Sequence, residues 1–201
     1  MVACQALATH LLTAAEQLGT PRALRAAAWN GATVAALAGD GRQAAALAER
    51  ALAAHALLDA PRSTGRLRAR LAANLQRASP AAHGQARTML LQAHAELGAT
   101  AASAVDLAYC QLELARSDLL ARHAGSAAHR AQELAARHPD AGNLVADAEL
   151  LHAEALCALG EPQRARPRWR GWASNSAGWK RQLELRRHSR TAVGCWSNWV
   201  I

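Results

Sequence analysis

Short turn-forming clusters cut the first 160 residues into pieces of nearly equal length, and this spacing restricts the fold more than any other feature. One set comprises Gly39-Asp40-Gly41, Ser79-Pro80 through Gly84, His123-Ala124-Gly125-Ser126 and Gly160-Glu161-Pro162. A second set falls between them: Gly19-Thr20-Pro21, Asp59-Ala60-Pro61, Gly98-Ala99-Thr100, and His138-Pro139-Asp140 to Gly142. The pieces are ~15–20 residues long and each set recurs every ~36–43 residues, the pattern of stacked helical hairpins. Few other folds accept turns placed so evenly.

The pieces carry helical patterns of their own. Ala44, Leu47, Ala48, Ala51 and Leu52 follow the i, i+3, i+4, i+7, i+8 spacing of one apolar helix face. Leu67, Leu71 and Leu75 do the same, as do Ala146, Leu150, Ala153 and Cys157; residues 1–18 form one such stripe through Leu7, Leu11, Leu12, Ala15 and Leu18. Thr20 followed by Pro21 reads as an N-cap with proline at the first helical position, and Gly19 and Gly98 suit the position just past a helix end. Composition agrees. Of 54 alanines, 50 lie in residues 1–160, phenylalanine is absent and Tyr109 is the only tyrosine. Alanine favours helices and lets them approach closely, whereas sheets favour β-branched and aromatic residues. The expected fold is all-α: about seven helices in αα-hairpins over residues 1–165, followed by an irregular tail over 166–201.

Gly39 and Asp40, with Ala44, Ala48, Ala51 and Leu52 after them, resemble the turn and second helix of tetratricopeptide repeats; Gly160, Glu161, Pro162 and Ala165 start the same pattern again. That resemblance implies a right-handed superhelix whose concave face takes a peptide, a protein or a dimer partner. The large aromatic positions of the family are mostly alanine or leucine here, and the loops exceed its strict period. More narrowly, the run from Trp29 through Asp40 to Ala51, then Ser103–Leu120 and Ala148–Pro162, is similar to the sensor region of actinobacterial transcriptional regulators. In those regulators a helix-turn-helix of the Cro/repressor type precedes the tetratricopeptide region. The helical region of large ATP-binding regulators of the LuxR type is a rival resemblance, and a general scaffold outside transcription is the alternative function. Residues 1–18 hold one helix and no helix-turn-helix. They read as the second helix of a hairpin whose first is missing, the pattern of an N-terminally truncated chain, so DNA contact is expected only through a domain missing from it.

Charge separates body from tail. Residues 1–160 carry 14 Lys+Arg against 13 Asp+Glu, while residues 161–201 carry nine Lys+Arg against Glu161 and Glu184 and supply +7 of the net +8. Five of six tryptophans also lie in the tail: Trp169, Trp172, Trp179, Trp196 and Trp199. Three readings compete: a basic arm stacking tryptophan on bases, a disordered or membrane-surface tail, and a reading-frame shift near residues 164–170. GC-rich coding DNA read out of frame yields Arg, Trp, Gly and Ser freely. Written with common GC-rich codons as TGG AGC AAC TGG GTG ATC, Trp196–Ile201 reads from the third base as Glu-Gln-Leu-Gly-Asp, which reproduces Glu16-Gln17-Leu18-Gly19. A terminal repeat broken in this way leaves an apolar face uncapped, so the chain is expected to dimerise or aggregate.

No catalytic, nucleotide-binding or metal-ligating motif occurs, and no enzyme activity or cofactor is expected. The nine histidines lack ligand spacing: His123, His129 and His138 are six and nine residues apart. Asp147, Glu149 and Glu154 read as a solvated acidic face. Cys110 and Cys157 lie in apolar patterns and read as buried free thiols. With no ~20-residue apolar span and no signal-peptide start, a soluble cytoplasmic protein is the default. The candidate ligand groove consists of Trp29, Asn30, Arg62, Arg66 and Arg70. The three arginines recur at i, i+4, i+8 opposite the Leu67, Leu71 and Leu75 stripe, beside Arg68, with Arg77 placed one helix further along. Arginine offers bidentate recognition of a carboxylate, whereas a solvated basic face is the plainer reading. Asn30 offers hydrogen bonds to an extended peptide backbone, and Trp29 is equally suited to filling the hairpin.

Overall fold

The computed structural model describes residues 2–58, 61–100 and 104–165. The tail reading for 166–201 and the side chain of Arg62 lie outside the described residues. The helices are α1 (Val2–Leu18), α2 (Pro21–Leu37), α3 (Gly41–Ala56), α4 (Pro61–Ala78), α5 (His83–Ala99), α6 (Ala104–Leu120), α7 (Ala124–Arg137) and α8 (Gly142–Ala158), with a 3-10 turn at Pro80–Ala82. Among the described residues there is no strand, and the α-helices number eight where about seven were expected. Alternate helices begin at residues 21, 61, 104 and 142, and the others at 41, 83 and 124, which preserves the spacing expected from the turns.

The chain has two compact units, Met1–Ser117 and Asp118–Ile201. In the first, α2 packs along α3, α4 along α5, α1 on α2, and α4 on both α2 and α3. Its core is built of small residues: Ala28, Ala32 and Ala35 of α2 and Ala44, Ala48 and Ala51 of α3 are all at most 2% exposed. Leu67, Leu71 and Leu75 of α4, with Leu90 and Leu97 of α5, are among its larger side chains. Each buried leucine contributes about 1.5–3 kcal/mol, against less than half of that for an alanine methyl. In the second unit α7 packs along α8, with Ala127, Ala128 and Ala155 around Leu119, and Ala165 against Ala153 and Leu156.

One turn geometry recurs three times. After α2, Gly39 takes φ +78, Gly39 N–H bonds Ala36 O and Asp40 N–H bonds Ala35 O. After α8, Gly160 takes φ +79, with Gly160 N–H on Cys157 O and Glu161 N–H on Leu156 O. After α6, Arg122 takes φ +64, with Arg122 N–H on Leu119 O and His123 N–H on Asp118 O. These paired bonds satisfy the last carbonyls of each helix through a left-handed residue. Five residues beyond each left-handed position lies a buried alanine: Ala44, Ala127 and Ala165, each at most 1% exposed.

Two turn assignments differ from the sequence reading. The α6–α7 turn lies at residues 121–123, so Gly125 and Ser126 belong to the first turn of α7; the left-handed residue is Arg122 rather than a glycine. Gly98 sits inside α5, which continues to Ala99, and does not cap it. Gly19 does cap α1, at φ +65, and Thr20 accepts a hydrogen bond from Ala23 N–H at 3.4 Å ahead of Pro21.

Replacing Arg122 by glycine removes the Cβ strain of a left-handed residue and is expected to stabilise the fold by about 1 kcal/mol, read as a higher urea midpoint. Gly65→Ala is expected to do the opposite. A Cβ there would lie 2.9 Å from Leu97 Cγ and 3.2 Å from the Ala93 carbonyl oxygen of α5, an overpacking cost of about 1–3 kcal/mol.

Candidate functional site

Three alternate helices, α2, α4 and α6, carry polar side chains that bond α4 to α2 and α4 to α6. Trp29 is half-buried against the core, and Asn30 is exposed beside it. One turn on, Thr33 Oγ1 donates to the Trp29 carbonyl at 3.1 Å and accepts from Asn74 Nδ2 of α4 at 3.0 Å. Arg66, Arg70, Asn74 and Arg77 follow at i, i+4, i+8 and i+11 along α4, so they share one face. Arg77 therefore belongs to the same helix as the other arginines and not to the next one.

The arginines differ in how they are held. Arg66 is exposed and reaches Asp106 Oδ2 of α6 at 2.5 Å. Arg68 turns away from that face and forks onto Glu96 of α5 through Nε and Nη2, at 2.8–3.1 Å, with Gln92 as a further acceptor. Arg70 is exposed and makes no ion pair among the described residues. Of the candidate set, the structure thus leaves Arg70 and Asn30 open to solvent, occupies Arg66, and packs Trp29 partly into the core.

Sequence reasoning missed the most constrained group. The Glu113 side chain on α6 is only 1% exposed, yet it is met by Arg77 Nη2 at 3.2 Å, by Arg116 Nη1, and by Gln76 Nε2 at 3.3 Å. Gln76 Nε2 also reaches the Glu113 carbonyl at 3.3 Å, and the Gln76 carbonyl is 3.0 Å from His83 Nε2. A buried carboxylate is tolerable only with such partners, because desolvation alone costs several kcal/mol. One turn before Glu113, burial, and secondarily the Glu113 charge, raise the Tyr109 hydroxyl above its ordinary value of 10.0, which Arg77 and Arg116 partly offset. Cys110 is fully buried and donates to the Leu90 carbonyl at 3.4 Å; burial, then Glu113, pushes its thiol up to about 12. Arg77 and Glu113 lie 36 residues apart, so no local pattern could pair them.

The face therefore carries four arginines (66, 70, 77, 116) against two carboxylates (106, 113), an excess of two positive charges. The expected histidine and cysteine roles sort as follows. His55 is buried, with Nε2 2.9 Å from Ser63 Oγ, and His152 is buried as well. His129 lies at the surface, 3.6 Å from Glu133. Among the described residues no group of His, Cys, Asp and Glu is placed to hold a metal ion. Cys110 is a buried free thiol as expected, Cys157 is a half-buried one, and Cys4 is exposed. Asp147, Glu149 and Glu154 are half-buried, which is less solvated than expected. Among the described residues no helix is long and apolar enough to cross a membrane.

Both raised groups stay protonated in the fold while the unfolded chain begins to ionise near pH 9–10. The stability that these two groups contribute is thus present below about pH 9 and expected to be lost as pH rises through the raised values, a slope readable from urea melts between pH 8 and 11. Since Tyr109 is the only tyrosine, its phenolate absorbance titrates alone; Glu113→Gln is expected to lower that midpoint. Thiol labelling in native buffer is expected to modify Cys4 and spare Cys110 until the protein is unfolded, as peptide mass mapping would show.

No protein-family model matches the chain, and a search of curated proteins likewise finds no match.

Proposed function

We propose that this chain is a non-catalytic interaction module that takes an extended, acidic peptide or protein segment across the α2, α4 and α6 face. The observation that carries the reading is the composition of that face. Its Thr33–Asn74 hydrogen bond, the exposed amide of Asn30 and the unpaired Arg70 sit beside an arginine excess. Asn30 supplies backbone-type hydrogen bonds, Arg70 a carboxylate fork, and the exposed edge of Trp29 an apolar contact. Arg66 is a secondary contact, since Asp106 already satisfies it. The likeness to regulator sensor regions adds a role: binding in the groove shifts the relative positions of the hairpins in a bacterial transcriptional regulator. A general scaffold role uses the same groove without the regulatory output.

The test is a fluorescence-anisotropy screen of labelled Asp/Glu-containing peptides against basic and neutral peptides of equal length. Acidic peptides are expected to bind, and Arg70→Glu to weaken them about tenfold to a hundredfold, the weight of one charge-assisted contact. The same variant should melt like the parent, because Arg70 is exposed. Equal binding by Arg70→Glu, or no preference for acidic peptides, would sink the reading.

A further inference from the structure

Among the described residues, α1 is the helix whose apolar side chains remain largely outside the core. Ala15 is buried, and Ala8 and Leu12 are half-buried, where α1 meets the rest of the unit. About a quarter turn around the helix runs a second line: Cys4, Leu7, Leu11, Ala14 and Leu18. Leu7, Leu11 and Leu18 are 60%, 44% and 69% exposed, and Cys4 and Ala14 are exposed with them. The other exposed large apolar residues are solitary or sit at helix ends: Leu37, Leu57, Leu91, Val105, Leu120 and Leu159.

The spacing of the α1 line is 3, 4, 3, 4, the alternation of a two-stranded coiled-coil seam. A helix buried in a globular hairpin follows a wider stripe, whereas this narrow seam suits one straight helix of its own kind. No charged side chain lies on it. From residue 2 to residue 15 there is none at all, and Glu16 is drawn off by Arg50 of α3 at 2.6 Å. An uncharged seam meets its own copy without repulsion.

We propose that two copies of this chain pair through α1, antiparallel, about a two-fold axis passing between Leu11 and Ala14. That axis sets Leu11 of each copy on Ala14 of the other and Leu7 on Leu18, large against small at the centre and leucine on leucine outside. A parallel pair would instead face alanine with alanine and leave a void. The antiparallel pair also opposes the two helix dipoles favourably. The closed two-fold contact stops at two copies. From Cys4 to Leu18 the seam is about 21 Å long, and one helix of that length buries on the order of 1,000 Å² in total, at the lower end for specific contacts. The dimer is therefore concentration-dependent.

The experiment is sedimentation equilibrium on the full chain over a concentration series, with the parent, Leu11→Lys and Leu91→Lys. The parent is expected to follow a monomer–dimer equilibrium, Leu11→Lys to weaken it at least about a hundredfold, and Leu91→Lys, at a somewhat more exposed leucine of α5, to leave it unchanged. Circular dichroism should show the parent's helix content in both variants. Mild oxidation followed by peptide mapping is expected to give no Cys4–Cys4 cross-link, because the antiparallel pair holds the two cysteines at opposite ends. A parent that stays monomeric throughout, a Leu11→Lys variant that still dimerises, or a Cys4–Cys4 cross-link overturns the proposal.

Discussion

Everything in the first unit depends on how closely its helices approach, and alanine sets that distance. Ala28, Ala32 and Ala35 of α2 share one buried cluster with Ala44, Ala48 and Ala51 of α3, and Leu47 of α3 lies over Gly31 of α2, where an added Cβ would stand 3.0 Å from its Cδ1. The same limit appears between α4 and α5, where Gly65 stands in for alanine because even one methyl would strike Leu97 and the Ala93 carbonyl. Close approach brings many weak contacts and little transfer energy per residue. Such a core holds only if each hairpin turn is made correctly. This explains why one turn geometry is used after α2, α6 and α8, and why it persists after α6 although the left-handed position there is arginine.

Smooth alanine faces also carry little information about register, because one alanine on a helix resembles the next. Bonds of fixed direction supply what shape does not. Asn74 ties α4 to Thr33 of α2, Arg68 forks onto Glu96 of α5, and Glu113 of α6 gathers Arg77 and Gln76 of α4 with Arg116 of its own helix. A buried carboxylate is a poor way to add stability, since desolvation consumes most of the attraction. It is an effective way to reject a slipped arrangement, because a shift of one turn leaves Glu113 buried without Arg77 and Gln76 and with only Arg116 of its own helix. The half-exposed pairs, such as Arg50 with Glu16, contribute little by comparison.

The sequence made the helices and most turns legible, because both depend on neighbours along the chain. Thr20-Pro21, Gly39-Asp40 and Gly160-Glu161 announce their geometry locally. Arg122 does not, since arginine has no preference for the left-handed region; the nearby Gly125 drew the boundary three residues too late. Candidate site residues divide in the same way. That Arg66 and Arg70 share a face follows from helical spacing. That Arg66 is occupied and Arg70 open depends on Asp106, contributed by a helix 40 residues away. Glu113 looked like any polar residue in an alanine-rich helix, and only tertiary packing buries it. The stripe on α1 was visible too, but sequence alone could not tell which of its leucines meet α2 and which meet solvent.

A division of labour follows from these constraints. The faces that hold hairpins together are alanine and leucine and tolerate almost no change in volume. The outward face of α2, α4 and α6 is polar, and at Asn30 and Arg70 it is free of the contacts that set register. Substitution there leaves the packing distance between helices untouched, so recognition chemistry is separable from stability at those positions and tied to it at Arg77 and Glu113. A ligand that touches only Asn30 and Arg70 binds a rigid surface. One that reaches across to Arg77 or Arg116 competes with Glu113 for the same guanidinium groups, and to that extent its binding works against the bonds that fix α4 against α6. Such competition is a physical route by which occupancy of this face can alter how neighbouring helices are held.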